Sequence, residues 1–547
     1  MKKEKKWSII YFTAIGAVFL FTRLYKLTQI PSGMHIDEIS LGYNAWTLSE
    51  FGTDRYNISF PVYFNNAGSG QSSLYTYMAA LFSKLFGYNI VTLRLPAVLF
   101  GAVLLVFLTL TAYEMFGIKS AYATSAIVTI MPVFIMGERF AFDCNAFLPM
   151  FAMLLYFTVM LIKTKETKFA VLSGISISLC FYSYILSFII IPVFLIFGMT
   201  YCLIYKKISA KNILISGTAA IIPSIPIIMY GFVVTGLIKP FKIGSISITD
   251  ASFQRTAELG WQHKSLATLF KNLFEITDHD NYNFVATEKY GVFYSNRLFG
   301  LSFSQILIIC AFIAIIAFCA YKNHKKEFNY ETVILLACVS TLIPLLFTEG
   351  FATYRYESFL VVCALALAYG IGLLWEHRQR VLSGLIALFF LCNFVSYSVY
   401  LFGNGFMKDN SLAYFDTELL DLCESIDLNE YKDYQIYVDD TTTYNTGLIV
   451  LYGLKVSPND ISTEVKNMDI SDMEYGNVHI GIPNELKDEK AIYIIRDFNS
   501  ETSLYTDVER PISLYEKLVS NNKVKKDLIE SGARKESRNN YYIFYTA

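Results

Sequence analysis

The stretch MKKEKKWSIIYFTAIGAVFLFTRLYKL, residues 1–27, decides the class of the fold. A lysine-rich hexapeptide is followed by an apolar run that begins at Trp7 and continues to about Leu27. A helix of about 20 mostly apolar residues is long enough to cross a bilayer. Because no small-residue cleavage site follows the run, we interpret it as an uncleaved first span and not as a signal peptide.

The composition extends this interpretation to the whole chain. Of its 547 residues, 54% are hydrophobic and only 17% are charged, whereas a soluble domain has about 25% charged residues. The mean hydropathy of +0.42 indicates several membrane spans. The sequence predicts a polytopic α-helical membrane protein with about eleven transmembrane helices, near residues 7–27, 95–115, 120–137, 145–162, 168–184, 186–204, 212–232, 299–320, 330–347, 357–374 and 381–402.

The distribution of cations predicts the orientation in the cell membrane. Lys and Arg concentrate in cytoplasmic loops. With the N-terminus in the cytoplasm, the inner connections are the N-terminal hexapeptide, the turn at Lys119, KTKETK, YKKISAKN, YKNHKKE and EHRQR. All of these except the Lys119 turn are rich in cations. The long segments 28–93, 235–298 and 405–547 are then expected outside, and a short apolar run over Ser72–Gly87 is expected to lie at the interface as a helix.

The last segment has the composition of a soluble domain. From Gly405 onward it contains 26 acidic and 15 basic residues, which argues against nucleic acid as a partner because phosphates require basic patches. Four runs are predicted as strands and two as amphipathic helices. We therefore divide the chain into a membrane-embedded catalytic domain, 1–404, and an extracytoplasmic α/β domain, 405–547. The runs predicted as strands are YQIYVDD, TGLIVLYG, AIYIIRD and YYIFYTA.

The first outer segment contains the first candidate for chemistry. In HIDEISLGYNAWTLSEFG, residues 35–52, the spacing of the apolar residues predicts an amphipathic helix that begins near Asp37 and Glu38 and ends at Gly52. A purely structural interpretation is available: Asp37 is the N-cap, and the negative charge of Glu38 interacts favourably with the N-terminal end of the helix dipole. The alternative is catalytic, because this carboxylate pair lies where the first span leaves the membrane.

Two further outer patches carry charge. GERFAFDCNAF contains Glu138, Arg139 and Asp143, and in a helix Arg139 and Asp143 would form an i,i+4 ion pair. TEGFATYRYESF contains Arg355, which can bind a lipid phosphate with its guanidinium fork or serve with Tyr356 as an interfacial anchor.

The search for cofactor motifs gives no positive signal. The triplet Asp278–Asp280 does not converge on one point without a special turn, so no metal site is predicted there, although a divalent metal requirement stays open. There is no P-loop, no dinucleotide-binding glycine pattern and no nucleophile elbow. The nine cysteines show no metal or disulfide spacing.

The ordered set of motifs resembles the integral-membrane GT-C glycosyltransferases. The resemblance rests on the acidic pair after the first span, on TLRLPAVLFGAVLLV and on ERFAFDCNAFLPMFAML, and it covers most of the first 160 residues. It is strongest to the bacterial proteins similar to protein O-mannosyltransferases and to lipid A aminoarabinose transferases. It implies a polyprenyl-phosphate-linked sugar as donor and transfer on the outer face.

The resemblance also implies roles for individual residues. Asp37, with Glu38 beside it, matches the carboxylate that acts as base or positions the acceptor, and Asp143 matches the acid of the second outer loop. Arg139 lies near Asp143, and Arg355 matches the arginine that holds the donor phosphate. Arg55, Gln71 and Tyr356 complete the candidate substrate-binding set.

One departure leaves the sugar and the acceptor open. Gly70–Ser73 stand where the mannosyl- and aminoarabinosyl-transferases carry a Lys-Pro-Pro-like element, so the acceptor could be a protein, a lipid or a wall polymer. Two other functions remain as alternatives, a transporter or flippase of lipid-linked sugars and a catalytically inactive scaffold. A transporter is expected to carry ionisable residues deep in its spans and internal repeats, and the sequence displays neither.

Overall fold

A computed structural model describes most of the chain. The described residues are 2–249 except 32, 67 and 68, together with 311, 327–346, 357–403, 417–440, 446–461, 474–496, 512–538 and 541–546. Arg355, Tyr356, most of the second long outer segment and all but one residue of the predicted span 299–320 therefore lie outside the described residues.

Long apolar helices dominate the first part of the chain. Their bounds are α1 Lys2–Leu24, α2 Ile36–Phe51, α3 Ser73–Phe86, α4 Ile90–Phe116, α5 Ile118–Ile130, α6 Pro132–Gly137, α7 Phe147–Thr164, α8 Thr167–Ser183, α9 Ser187–Ile204, α10 Ala210–Val234, α11 Tyr330–Leu342, α12 Glu357–Glu376 and α13 Arg380–Phe402. Seven segments in the described part of the chain are long and apolar enough to cross a membrane, and two apolar helices, Thr167–Ser183 and Tyr330–Leu342, are shorter. The fold is that of a polytopic membrane protein, and the total of eleven spans stays a prediction.

The predicted span 120–137 is divided into two helices. Helix α5 ends at Ile130 and α6 begins at Pro132, with the extended residue Met131 between them. Proline has no backbone N–H, so it cannot continue the hydrogen bonding of the preceding turn. The guanidinium of Arg23 supplies the missing donors to the carbonyls of Val128 and Thr129 at 3.1 and 2.5 Å.

The first outer segment folds into two helices and a hairpin. Helix α2 ends where Gly52 adopts a φ of 70°, which glycine allows without steric cost. Strands β1, Phe64–Asn66, and β2, Ser69–Gln71, then form an antiparallel pair. The predicted interfacial helix is found as α3; it is too short to span a bilayer and leaves Leu81, Leu85 and Phe86 exposed.

The C-terminal domain is built on a mixed six-stranded sheet. The strand order is β6-β7-β5-β8-β10-β9, with parallel pairing on both sides of the central strand β5. The predicted α/β architecture is thus found. The elements are α14 Thr417–Glu424, β5 Gln435–Val438, α15 Thr446–Gly453, β6 Glu474–Tyr475, β7 Val478–Ile480, β8 Ala491–Arg496, α16 Ile512–Glu530, β9 Arg534–Arg538 and β10 Tyr541–Tyr545.

One predicted strand of this domain is wrong. TGLIVLYG is the α-helix α15, and all eight of its residues are buried. A short segment that is apolar on every side gives neither the alternation of a half-buried strand nor a single helical stripe, so periodicity cannot distinguish the two.

Helix α15 joins the C-terminal domain to the first outer segment. The hydroxyl of Tyr43 on α2 donates to the carbonyl of Val456 at 2.6 Å, and the rings of Tyr88 and Tyr452 lie 4.8 Å apart. The first segment also pairs with the second, because Val62 N–H donates to the carbonyl of Ser247 at 3.2 Å in the hairpin β3, Phe241–Ile243, and β4, Ile246–Ile248. The first predicted outer segment therefore contacts both of the other two.

Candidate active site

The start of α2 presents Asp37 and buries Glu38. The N-cap is His35 and not Asp37, since the His35 side chain accepts the N–H of Asp37 at 3.1 Å and the Glu38 carboxylate accepts the N–H of His35. The capping prediction for Asp37 is therefore wrong. Burial lowers the pKa of His35, although the Asp37 and Glu38 carboxylates oppose this shift. A neutral ring agrees with its role as acceptor.

Asp37 is held by a chain of polar side chains. Asn66 of β1 donates to Asp37 Oδ1 at 3.2 Å, and Ser40, one turn along α2, donates to Asn66 Oδ1 at 2.5 Å. Arg55 donates in turn to both oxygens of Ser40 and to the amide oxygen of Asn44. The Asp37 side chain is 37% exposed, so its orientation is fixed while its carboxylate stays accessible.

Asp143 provides a second carboxylate next to Asp37. It accepts the backbone N–H of Ser72 at 3.0 Å, and it lies close enough to Asp37 for the two carboxylates to interact. The adjacent residue Gln71 is 4% exposed, and its side-chain oxygen has no hydrogen-bond donor. The β1–β2 hairpin thus brings Asn66 and Gln71 to the two acids.

Glu38 does not share this accessible environment. Its carboxylate and the guanidinium of Arg94 form a bidentate pair, with both distances 2.9 Å and both side chains completely buried. Glu38 also accepts the N–H of Ala141 at 2.8 Å. It therefore joins α2, α4 and the second outer loop, and the geometry favours a structural role over the predicted catalytic one.

Arg139 is not paired with Asp143, contrary to the i,i+4 interpretation. Residues 138–142 are not helical, and the guanidinium of Arg139 is buried against the end of α1. Its three nitrogens donate to five carbonyls there, those of Thr22, Arg23, Tyr25, Lys26 and Ile30. The last carbonyls of a helix have no intrahelical partner, and here they accept the N–H groups of Arg139. Because its donors are used in this way, Arg139 is placed to stabilise the second outer loop rather than to bind a phosphate.

Ser40, Asn44 and Asn66 belong to this site but were not predicted from the sequence. The first two lie three and seven residues after Asp37, and this spacing is that of one helical face. These residues could have been predicted from the polar stripe that they form with Asp37 on a helix that is otherwise apolar. Asn66 had no such signal, because the hairpin that brings it to Asp37 is a tertiary feature.

The described residues contain no group of three or more His, Cys, Asp or Glu side chains arranged to hold a metal ion. In this part of the chain, Asp37 and Asp143 are surrounded by amides, the Ser40 hydroxyl, the Arg55 guanidinium and backbone groups.

Comparisons with known proteins agree with this architecture. Residues 71–230 match the family model described as dolichyl-phosphate-mannose-protein mannosyltransferase. No curated protein sequence matches the chain significantly. The fold is similar to ArnT from Cupriavidus metallidurans bound to undecaprenyl phosphate, with a TM-score of 0.55, 11% identity and coverage of 99% of this chain and 98% of that one.

The same ArnT in the apo state gives a TM-score of 0.56 at 9% identity, with coverage of 99% and 98%. The family match lies over α3 to α10 and includes Asp143, and the fold similarity extends over nearly the whole chain. The resemblance inferred from the sequence is confirmed: residues 71–230 match the dolichyl-phosphate-mannose-protein mannosyltransferase family model, and the fold of nearly the whole chain is similar to that of ArnT.

Proposed function

We propose that this chain is a membrane glycosyltransferase that takes its sugar from a polyprenyl-phosphate-linked donor and transfers it with inversion, on the outer face of the membrane, with Asp37 as the general base. The observation that carries the proposal is the contrast between adjacent acids, because Asp37 is 37% exposed and oriented by Asn66 whereas Glu38 is completely buried. A base must reach the proton that it removes, and of this pair Asp37 has the accessible carboxylate.

The chemistry follows from this position. Asp37 takes the proton of the acceptor hydroxyl, and the hydroxyl oxygen forms a bond to the anomeric carbon. The bond between that carbon and the phosphate oxygen breaks, and the polyprenyl phosphate leaves with the electron pair. A cation must neutralise the developing charge on the phosphate, and we assign this role to Arg355.

The other candidate residues receive supporting roles in this proposal. Asp143 and Gln71 line the acceptor side, next to Asp37. Arg55 acts through Ser40 and Asn66 to orient Asp37. Glu38 and Arg139 hold the outer loops in register. Tyr356 is proposed to flank the donor phosphate beside Arg355.

The donor is proposed to enter from the bilayer. The similar ArnT structure contains undecaprenyl phosphate, and in this chain a cavity of about 300 Å³ lies among α7, α8, α9 and α10. Its lining is largely apolar and includes Leu154, Ile177, Phe194 and Ile221. We propose that it accommodates part of a prenyl chain.

The test of the function is transfer of labelled sugar from a polyprenyl phosphate in proteoliposomes that contain the purified protein. Label that moves to an acceptor supports a transferase. Label that changes leaflet but remains on the lipid would instead favour a flippase, and label that does neither would favour an inactive scaffold.

Arg355→Lys is expected to raise the KM for the lipid donor, because lysine keeps the charge but loses the bidentate fork that binds phosphate. Steady-state kinetics with increasing donor in detergent micelles measures the effect. Arg534→Lys, at a position of the C-terminal domain that is 74% exposed, is the matched control. An unchanged donor KM in Arg355→Lys would leave Arg355 as an interfacial anchor.

The proposed topology places residues 405–547 outside the cell. Lys526, whose side chain is 74% exposed, is replaced by cysteine and treated with a membrane-impermeant thiol reagent. Lys526→Cys is expected to react in intact cells, whereas Lys168→Cys, in an inner loop, reacts only after the membrane is opened. The opposite pattern would invert the orientation.

A further inference from the structure

A small cavity lies next to the candidate active site, among α4, α6, α7 and α12. It has a volume of about 10 Å³, room for about one water-sized sphere. Its polar lining comes from Glu138, Asn145 and Glu357, and its other walls are Gly101, Gly137 and apolar side chains. The turn that carries Asp143 and Cys144 separates it from Asp37.

Three carboxylate oxygens at this cavity have no hydrogen-bond donor. Glu138 is 4% exposed and Glu357 is 1% exposed. Arg23 binds Oε2 of Glu138 at 2.7 Å, while Oε1 of Glu138 and both oxygens of Glu357 have no donor. Buried polar atoms are almost always hydrogen-bonded, so three orphaned oxygens at one cavity indicate a missing partner.

One orphaned oxygen of Glu357 and the side-chain oxygen of Asn145 lie at the face of Gly137, and the Glu138 carboxylate lies against Gly101. A side-chain carbon on Gly137 would lie 3.0 Å from Oε1 of Glu357 and 3.8 Å from Oδ1 of Asn145. The amide nitrogen of Asn145 donates to the carbonyls of Gly137 and Phe140, at 2.7 and 2.8 Å. Its amide oxygen accepts only a long contact of 4.0 Å from the Cys144 thiol, which leaves room for a second partner in the cavity. Glycine at 137 therefore leaves space that a larger residue would fill.

The charges at this cavity do not balance among the described residues. Arg23 contributes one positive charge, whereas Glu138 and Glu357 contribute two negative charges. An uncompensated charge away from water is strongly unfavourable, so the cavity requires one further positive charge. A divalent ion would exceed this requirement.

We propose that this cavity binds a single alkali cation of the size of sodium, held by Glu138, Glu357 and Asn145. Carboxylate and amide oxygens are the ligands that hard cations prefer. A proton shared between the two carboxyl groups would also balance the charge, but it would satisfy only two of the three orphaned oxygens, whereas a cation can contact all of them at once. The bound ion would join α6, the start of α7 and the first turn of α12 beneath Asp143.

The test compares thermal unfolding of the purified protein in sodium chloride and in choline chloride, at equal pH and ionic strength. Sodium is expected to raise the unfolding temperature of the wild type in a saturable manner. Glu357→Gln, which removes the excess charge, is expected to lose this dependence. Glu114→Gln, which removes a carboxylate from an exposed pair with Lys163, is expected to keep it.

Equal unfolding temperatures of the wild type in sodium and choline would overturn the proposal in favour of a proton. Stabilisation by magnesium or calcium but not by sodium would overturn the assigned class of ion. If Glu357→Gln does not fold, equilibrium dialysis of the wild type with radioactive sodium decides: one ion bound per chain supports the site, and none refutes it. Because transfer activity is not the readout, the result is independent of the proposed catalytic role of Asp37.

Discussion

Replacing Asp37 by asparagine is expected to lower sugar transfer by roughly 10²–10⁴-fold without loss of folding. The amide oxygen of asparagine can still accept the N–H of Asn66, and His35 rather than Asp37 caps the helix. The substitution therefore removes the proton acceptor and leaves the local structure. Transfer of label from the lipid donor gives the rate, and thermal unfolding reports the folded state.

The matched control is Glu50→Gln at the other end of the same helix, where an exposed carboxylate lies 3.7 Å from Lys84. This variant loses the same charge from α2 and is expected to keep full activity. Normal transfer by Asp37→Asn would exclude Asp37 as the base and would move the role to Asp143. A loss of activity that appears equally in Glu50→Gln would point to the charge of the helix and not to proton transfer.

Arg94→Met is expected to reduce the free energy of unfolding by about 3–5 kcal/mol, because it leaves the buried Glu38 carboxylate without its counter-ion. It also leaves three backbone carbonyls without donors, those of Leu27, Pro31 and Gly33. Methionine fills similar space, so lost packing contributes little. Thermal or denaturant unfolding of the detergent-solubilised protein measures the loss.

Two comparisons isolate the buried charge. Lys163→Met breaks an exposed pair with Glu114 and is expected to cost at most about 1 kcal/mol. The double variant Glu38→Gln with Arg94→Met removes both charges and is expected to recover part of the loss, since no ion stays unpaired. A cost for Arg94→Met no larger than that for Lys163→Met would show that the pair contributes little to stability.

The membrane class, the position of the juxtamembrane acids and the C-terminal α/β domain were accessible from the sequence because they depend on local composition. Long runs of apolar residues directly indicate the segments that lie in lipid, and the cations between them indicate the connecting loops. The pair Asp37 and Glu38 could be located for the same reason, at the end of the first span. The sequence could not predict that one of these acids is accessible and the other is buried. This difference depends on Arg94, which lies 56 residues away from Glu38.

The completely buried arginines Arg23, Arg94 and Arg139 show the same limit. From the sequence, Arg139 lies at a span end where a solvated charge or a phosphate ligand is a reasonable expectation. In the structure its guanidinium binds carbonyls more than a hundred residues earlier in the chain. Helix α15 was misassigned for a related reason, because α2 and α14 pack against different sides of it and bury all of its residues, so that it lacks the periodicity that identifies a helix.

The pairing of Arg23 with Glu138 also has a consequence for how the chain is made. The two residues are 115 positions apart, so at about 5–20 residues per second the ribosome needs roughly 6–23 s to deliver the carboxylate after the arginine. During that interval the long side chain of Arg23 keeps its charged head in water and holds the end of α1 at the membrane surface. Synthesis thus leaves the segment that follows, with Asp37, in water until its partner loop arrives.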